Sequence, residues 1–438
     1  MVPQLIIVGG GFGGLSAARA LRGAAVRVTL IDKRNYHLFR PMLYQVATGL
    51  LSADEISGPL RSILSRQENI DVLLDEVTGI SPKQRIVHLK HRDLAYDFLI
   101  LATGIRYNYF GHDEWRPFAP AEVFVIGDTA HVVASVRNLL GIKSRTPMLM
   151  PGVAQPGLES LDDADVIRSK ILLAFERAEE MASIEQAGTE EIRRLLTFAL
   201  VGTGTVGVEM ASTLAEMSRM ALAHDFRHID PRTARILLYE AGPRILPTYP
   251  EVLSLKAQRH LESLGVEVFT NARVTSVDSD GILVSGQRVP AGTVLWGAGV
   301  VASPAGRWLG AETDKSGKIM VEPDLSVRDH PIQEGKYVAD VIRRRVAGRA
   351  QPEPFWYWDK GDLAIVGRTY AVADLRFSRF AGFAAWVIWA VVHIYFLIGF
   401  ANRLFVLLQW GLDFLTKRRR VRVLSEAPSA QNLIDPAA

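Results

Sequence analysis

The 438-residue chain contains no cysteine. That absence excludes disulfides, Cys-ligated zinc, iron–sulfur clusters, thiol nucleophiles and any redox-active dithiol. If the chain carries electrons, they must pass through a bound organic cofactor, and no metal centre is expected. An excess of one charge sign is also lacking, since 50 Lys+Arg stand against 47 Asp+Glu. The balance is uneven, however. The stretch from Arg343 to Arg422 holds 14 basic and 5 acidic residues and overlaps the most apolar part of the chain. This points to a membrane surface and not to nucleic acid. No basic and apolar leader precedes the first strand, Leu5-Ile6-Ile7-Val8, so no secretory signal is expected. What is present is apolar material (48% hydrophobic) and glycine (36 residues), enough for two or three domains with real cores.

Two stretches share one pattern. LIIVGGGFGGLSAARAL (Leu5 to Leu21) leads to VRVTLIDKR, and LTFALVGTGTVGVEMASTLAEM (Leu196 to Met217) leads to ARILLYEAG. Each reads as a buried strand, a glycine turn, a helix and a second strand ending in a carboxylate. DFLILATG, EVFVIGD and TVLWGAG read as further buried strand ends. Residues 162–190 carry helical periodicity, with Asp162 or Asp163 as the cap. Asp280-Gly281 signals a turn between short strands.

In GGGFGG, Gly9 permits the tight turn, Gly11 lets backbone approach a pyrophosphate and Gly14 allows close helix–strand packing. The pattern alone is weak. Here it follows a strand, opens a helix and precedes Asp32, placed to accept hydrogen bonds from a ribose. GTGTVGVE repeats the logic with Gly202, Gly204 and Gly207. Its carboxylate, Glu240, lies farther on than the usual ~20 residues. A carboxylate there repels a 2′-phosphate and favours NADH over NADPH, although Arg244 nearby leaves the choice open. Asp128 could bond a flavin's ribityl chain or simply cap the next turn. Glu209 on its own reads as a first-turn carboxylate favoured by the helix dipole. Two dinucleotide sites in one chain are the strong signal: one supplies a hydride and the other receives it.

These residues resemble the two-dinucleotide-binding flavoproteins and, among them, the type II NADH:quinone oxidoreductase (alternative NADH dehydrogenase) family. The resemblance runs over about 1–422 and rests on VGGGFGG, ILATG, FVIGD, VGTGTVGVE and LWGAGV. It implies FAD held by Gly9, Gly11, Phe12, Gly13, Gly14, Asp32, Lys33, Ala102, Thr103, Gly104, Gly127 and Asp128. It implies NADH held by Gly202, Gly204, Gly207, Glu240 and Gly299. It further implies that Glu209 lies near both redox rings and that a quinone is the final acceptor, contacted by Gln155 and Gln333. Disulfide reductases and sulfide:quinone oxidoreductases share the scaffold but need cysteines.

One departure is large. The family places FVIGD after its NADH domain, whereas residues 121–156 here precede it, separating Gln155 from Gln333. The expected domains are an FAD-binding domain at 1–156 completed by 332–351, an NADH-binding domain at 157–331, a membrane-anchoring region at 352–422 and a flexible tail at 423–438. The expected fold class is α/β: two Rossmann-type three-layer dinucleotide-binding domains plus a C-terminal helical membrane-binding tail.

Phe380 to Phe400 is a run of 21 residues with His393 as its one ionisable side chain, followed by Leu404 to Leu415 and the basic Lys417 to Arg422. Its length meets the rule for a spanning helix, while the resemblance favours monotopic attachment at the cytoplasmic face of the cell inner membrane. A dimer core is a third reading, and homodimerisation stays open. The expected activity is non-proton-pumping NADH:quinone oxidoreduction. The alternatives are a membrane-associated redox sensor or scaffold, and an inactive rearranged variant.

Overall fold

The computed structural model describes residues 2–107, 109–115, 118, 160–184, 188–315, 317–320, 335–353 and 361–416. It forms two compact units. The first comprises Met1–Leu38, Ser57–Arg106 and Val300–Trp358; the second comprises Phe39–Ile56, Tyr107–Gly299 and Asp359–Ala438.

The first unit is built on a parallel sheet in the order Ile70–Leu74, Arg27–Asp32, Gln4–Val8, Phe98–Leu101. Leu5 pairs with Val28 on one side and Phe98 on the other. Leu5, Ile7, Val28 and Leu30 are fully buried, as a strand covered on both faces requires. Helix Phe12–Ala20 follows the first strand. Helix Gly335–Val346 lies against it, burying Val338, Ala339, Val341 and Ile342. The approach is so close that a Cβ on Gly335 would overlap the Gly13 carbonyl oxygen. An antiparallel ribbon, Val77–Ser81, Ile86–Leu89 and Asp93–Ala95, packs Val77, Ile80, Val87 and Leu89 into a core with Ile6, Val8 and Leu309.

The second unit repeats the plan. Its parallel sheet runs Val266–Phe269, Arg235–Tyr239, Thr197–Val201, Thr293–Trp296. Helix Thr205–Glu216 follows the central strand, and strands Val274–Asp278, Gly281–Val284 and Gln287–Pro290 form the second ribbon. The Asp280-Gly281 turn stands where the sequence signals it. The helix expected over 162–190 runs over Leu161–Ser183 instead. Its cap is Ser160, not Asp162 or Asp163. Ser160 is extended and accepts from the Asp163 amide at 3.2 Å, while Asp163 accepts from the Ser160 amide at 2.9 Å. Both aspartates already lie inside the first turn, and Asp163 supplies the reciprocal half of a capping box.

The carboxy-terminal region departs most from expectation. Part of the loop-like stretch after Pro352 is a strand, Asp362–Ile365, paired with Ala371–Asp374 and then Arg379–Gly382. The 21-residue apolar run is not one helix. It gives the end of that last strand, helix Phe383–Phe396, and the start of helix Phe400–Thr416. Gly382 and Gly399 take positive φ and break the run. The first tail helix has 14 residues, about 21 Å at 1.5 Å per residue, short of a ~30 Å hydrocarbon core. Among the described residues no helix is long and apolar enough to cross a membrane, which removes the single-span reading for them. His393 is packed, as a buried aromatic: it stacks on Trp389 and its Nδ1–H donates to the Trp389 carbonyl at 2.7 Å. Burial depresses its pKa to about 4.

Candidate active site

The first glycine turn is shaped by what cannot fit. Gly9 has φ of +104°, and a Cβ there would overlap the Ala102 carbonyl oxygen. A Cβ on Gly14 would overlap the Gly9 carbonyl oxygen, so helix and strand approach at van der Waals contact. Gly11 faces open space, with nothing within 4 Å of its Cβ position, and it caps helix Phe12–Ala20 without any side-chain bond. The helix therefore turns its N-terminal amides, uncapped by any side chain, and its positive dipole end toward an anion. Asp32, at the end of the neighbouring strand, accepts from the Gly10 amide at 2.6 Å and the Arg34 amide at 2.8 Å. Lys33 is exposed beside it.

Two partners at this turn escape sequence reading. Buried His37 bonds the Gly10 carbonyl through Nδ1 at 3.0 Å and takes Phe12 edge-on at 5.0 Å. Ser303 meets the Thr103 hydroxyl at 2.5 Å, and its amide donates to the Gly104 carbonyl at 3.3 Å. Both act across long stretches of chain and carry no local motif.

The second turn has the same construction. Gly202 has φ of +101°, and a Cβ there would lie 2.6 Å from the Gly297 carbonyl oxygen; one on Gly207 would overlap the Gly202 carbonyl oxygen. Gly204 caps helix Thr205–Glu216, again without a side-chain bond. The loop around Gly299, with φ of +78°, follows strand Thr293–Trp296. Glu240 is not a solvated strand end. Its carboxylate accepts from the Thr203 hydroxyl, the Thr203 amide at 3.3 Å and the Gly242 amide at 2.7 Å. Arg244 turns elsewhere, donating to the Tyr249 and Pro247 carbonyls at 2.7 and 2.8 Å. The long connection ahead of strand Arg235–Tyr239 is tied down by Glu179. That carboxylate accepts from the amides of Arg227, His228 and Ile229 and from the His228 ring. Burial resists its charge, but these donors prevail and hold its pKa at about 2.

Glu209 corrects a further expectation. It is the fifth residue of its helix, beyond the first turn, where the dipole no longer favours charge. It is 3% exposed. Its Oε1 accepts from the Ile365 amide at 3.4 Å, a long contact. Burial raises its pKa well above the ordinary 4.5, and the amide opposes the shift only partly. Helix Thr205–Glu216 thus carries an acid that favours its neutral form. Gly127, Asp128, Gln155 and Gln333 lie outside the described residues, as does the whole block 121–156.

The family model of the pyridine nucleotide-disulphide oxidoreductases matches residues 3–134 and 139–332. The type II NADH:quinone oxidoreductase NdhA of Mycobacterium tuberculosis is 38% identical over an alignment covering 95% of this chain and 88% of that protein. The chain belongs to the type II NADH:quinone oxidoreductase family. It is an oxidoreductase of a family that uses FAD and NADH. A second Mycobacterium tuberculosis member, Ndh, is also 38% identical, with 95% of this chain and 89% of that protein covered. In fold, the chain is similar to NDH2 of Plasmodium falciparum solved in complex with NADH. That likeness has a TM-score of 0.75 and 18% identity, covering 96% of this chain and all of the other.

Family membership sets a demand that the two turns meet. Each glycine turn excludes a Cβ at the helix–strand contact, and each helix start is uncapped by side chains. Each second strand ends in a carboxylate held by backbone amides. That donor set suits the pyrophosphate and ribose of a dinucleotide.

Proposed function

We propose that the chain oxidises NADH and reduces a membrane quinone, passing two electrons through FAD without pumping protons, at the cytoplasmic face of the inner membrane. The observation that carries this reading is the duplicated turn, in which Gly14 and Gly207 each pack a helix onto a glycine carbonyl beside a held carboxylate. FAD belongs on the first turn and NADH on the second. When bound, the flavin supplies the two-electron carrier chemistry that this cysteine-free chain lacks.

The residues' own work is binding and orientation. The backbone amides at Gly11 to Gly13 receive a pyrophosphate, and Asp32 accepts from a ribose while the Gly10 and Arg34 amides fix its carboxylate. Glu240 does the same at the second turn and rejects a 2′-phosphate by charge, with Arg244 committed to carbonyls. Glu209, whose charged form burial disfavours, is the candidate acid for the protons that quinone reduction consumes. Gln155 and Gln333 are the proposed quinone contacts.

Attachment to the membrane is monotopic in this reading. The tail helices expose Phe383, Val391, Tyr395, Phe400 (81%), Phe405 (59%) and Leu408, a surface suited to the interfacial zone of a bilayer.

Anaerobic addition of NADH to the purified protein should bleach a flavin absorbance band, and a quinone should restore it. Bound flavin that NADH bleaches and quinone fails to restore would refute the enzymatic reading in favour of a sensor. Protein purified without flavin would point to an inactive rearranged chain.

A further inference from the structure

Helix Phe400–Thr416 is built inside out. Ala401, Leu404, Phe405, Leu407, Leu408 and Leu412 are exposed, and Val406 is its one fully buried residue among those whose side chains are described. Hydrophobic burial alone cannot fix the register of such a helix, because little apolar surface faces the protein. Its polar residues face inward instead. Asn402 Nδ2 donates to the Asp54 carbonyl at 3.2 Å, Gln409 Nε2 to the Leu50 carbonyl at 2.5 Å, and Trp410 Nε1 to Gln45 Oε1 at 3.0 Å.

Gln45 is the hub of this arrangement. It is 3% exposed, on the short helix Leu43–Ala47, which packs on helix Thr205–Glu216. Its side-chain amide donates to Tyr44 Oη at 2.8 Å, and its backbone carbonyl receives the Leu50 and Leu51 amides at 2.7 and 3.1 Å. Trp410 also lies against Trp389 of the other tail helix, with ring centroids 5.3 Å apart. Directional contacts therefore tie the outward apolar helix through Trp410 to Gln45, and the short helix that carries Gln45 packs on the helix that carries Glu209.

We propose that Gln45 is a positioning residue for the quinone half of the reaction. It sets the register of the lipid-facing helix Phe400–Thr416 against helix Thr205–Glu216, so that a quinone leaving the bilayer is delivered in line with the site. The inference rests on the monotopic, quinone-reducing reading above. A buried amide with both ends engaged is sensitive to truncation, because an apolar replacement removes the acceptor of the Trp410 N–H.

The test compares wild type with Gln45→Leu and Trp410→Phe in the full-length flavin-loaded protein. The substrates are a long-chain polyprenyl benzoquinone in phosphatidylcholine–phosphatidylglycerol vesicles and a short-chain benzoquinone in solution. Both variants should keep wild-type flavin content, vesicle binding and rate of flavin reduction by NADH. Their KM for the vesicle-borne quinone should rise roughly tenfold, on the scale of one lost buried hydrogen bond. Turnover with the soluble quinone should stay within about twofold, well under that effect. An unchanged KM for the vesicle-borne quinone in Trp410→Phe, which keeps an aromatic ring but removes the N–H donor and part of the packing on Trp389, overturns the proposal. So does an equal fall with both quinones, since that marks general destabilisation. Wild type that fails to bind vesicles shows separately that the membrane reading itself is wrong.

Discussion

Glu209 and Glu240 are both carboxylates in the second unit, and their surroundings give them opposite tasks. Glu240 is gripped by the Thr203 hydroxyl and two amides, so it is held in place for a hydrogen-bond partner. Glu240→Gln keeps the shape and removes the charge that repels a 2′-phosphate. The KM ratio for NADPH over NADH should fall by about tenfold, the scale of one charge-assisted bond, as initial rates with each nucleotide would reveal. Glu209 is buried with one long carboxyl contact among the described residues, and its pKa is raised in the fold. Its contribution to stability is therefore full below the ordinary 4.5 and is lost as pH rises toward the folded value. Glu209→Gln should remove that slope. Melting temperatures of the two proteins should draw apart in the variant's favour as pH increases from acidic to alkaline, and parallel curves would contradict the assignment. Asp32 and Glu240 were legible in the sequence because a strand end after a glycine turn is a local pattern. His37 and Ser303 were not: no motif marks a histidine 27 residues after Gly10, and Ser303 meets Thr103 across 200 residues. The burial of Glu209 was equally invisible, since Ile365 lies far down the chain.

At the level of elements, the two glycine helices offer a matched pair of substitutions. Gly14→Ala places a methyl group on the Gly9 carbonyl, and Gly207→Ala places one on the Gly202 carbonyl. The first should yield protein that loses flavin on gel filtration. The second should keep its yellow colour but require roughly tenfold more NADH for half-maximal bleaching. Loss of flavin from both variants alike would argue against separate assignments. The tail helices make a different point. Their apolar content was evident from sequence, but their division was hidden until Gly382 and Gly399 were seen to adopt backbone that other residues rarely take. An outward face assembled from two short helices implies shallow contact. Phe405→Asp, at a 59% exposed position, should leave the melting temperature within about 2 °C. It should weaken sedimentation with phosphatidylglycerol-containing vesicles by roughly tenfold, the worth of burying one large apolar side chain. The capping of helix Leu161–Ser183 was nearly legible. Asp163 takes part, but only the extended backbone at Ser160 identifies which residue is outside the helix.

At the scale of the whole molecule, the duplicated α/β plan was readable because both copies write the same strand, turn and helix. Their assembly into compact units was not readable, because it depends on which distant segments pack together. The chain passes between its two units five times, after Leu38, Ile56, Arg106, Gly299 and Trp358. Helix Gly335–Val346 rests on Phe12–Ala20, so the first nucleotide turn gains one of its walls from the far end of the polypeptide. During synthesis, the opening βαβ segment leaves the ribosome long before that helix exists. The nascent first unit is consequently unfinished through most of translation, until the chain has been made as far as Val346.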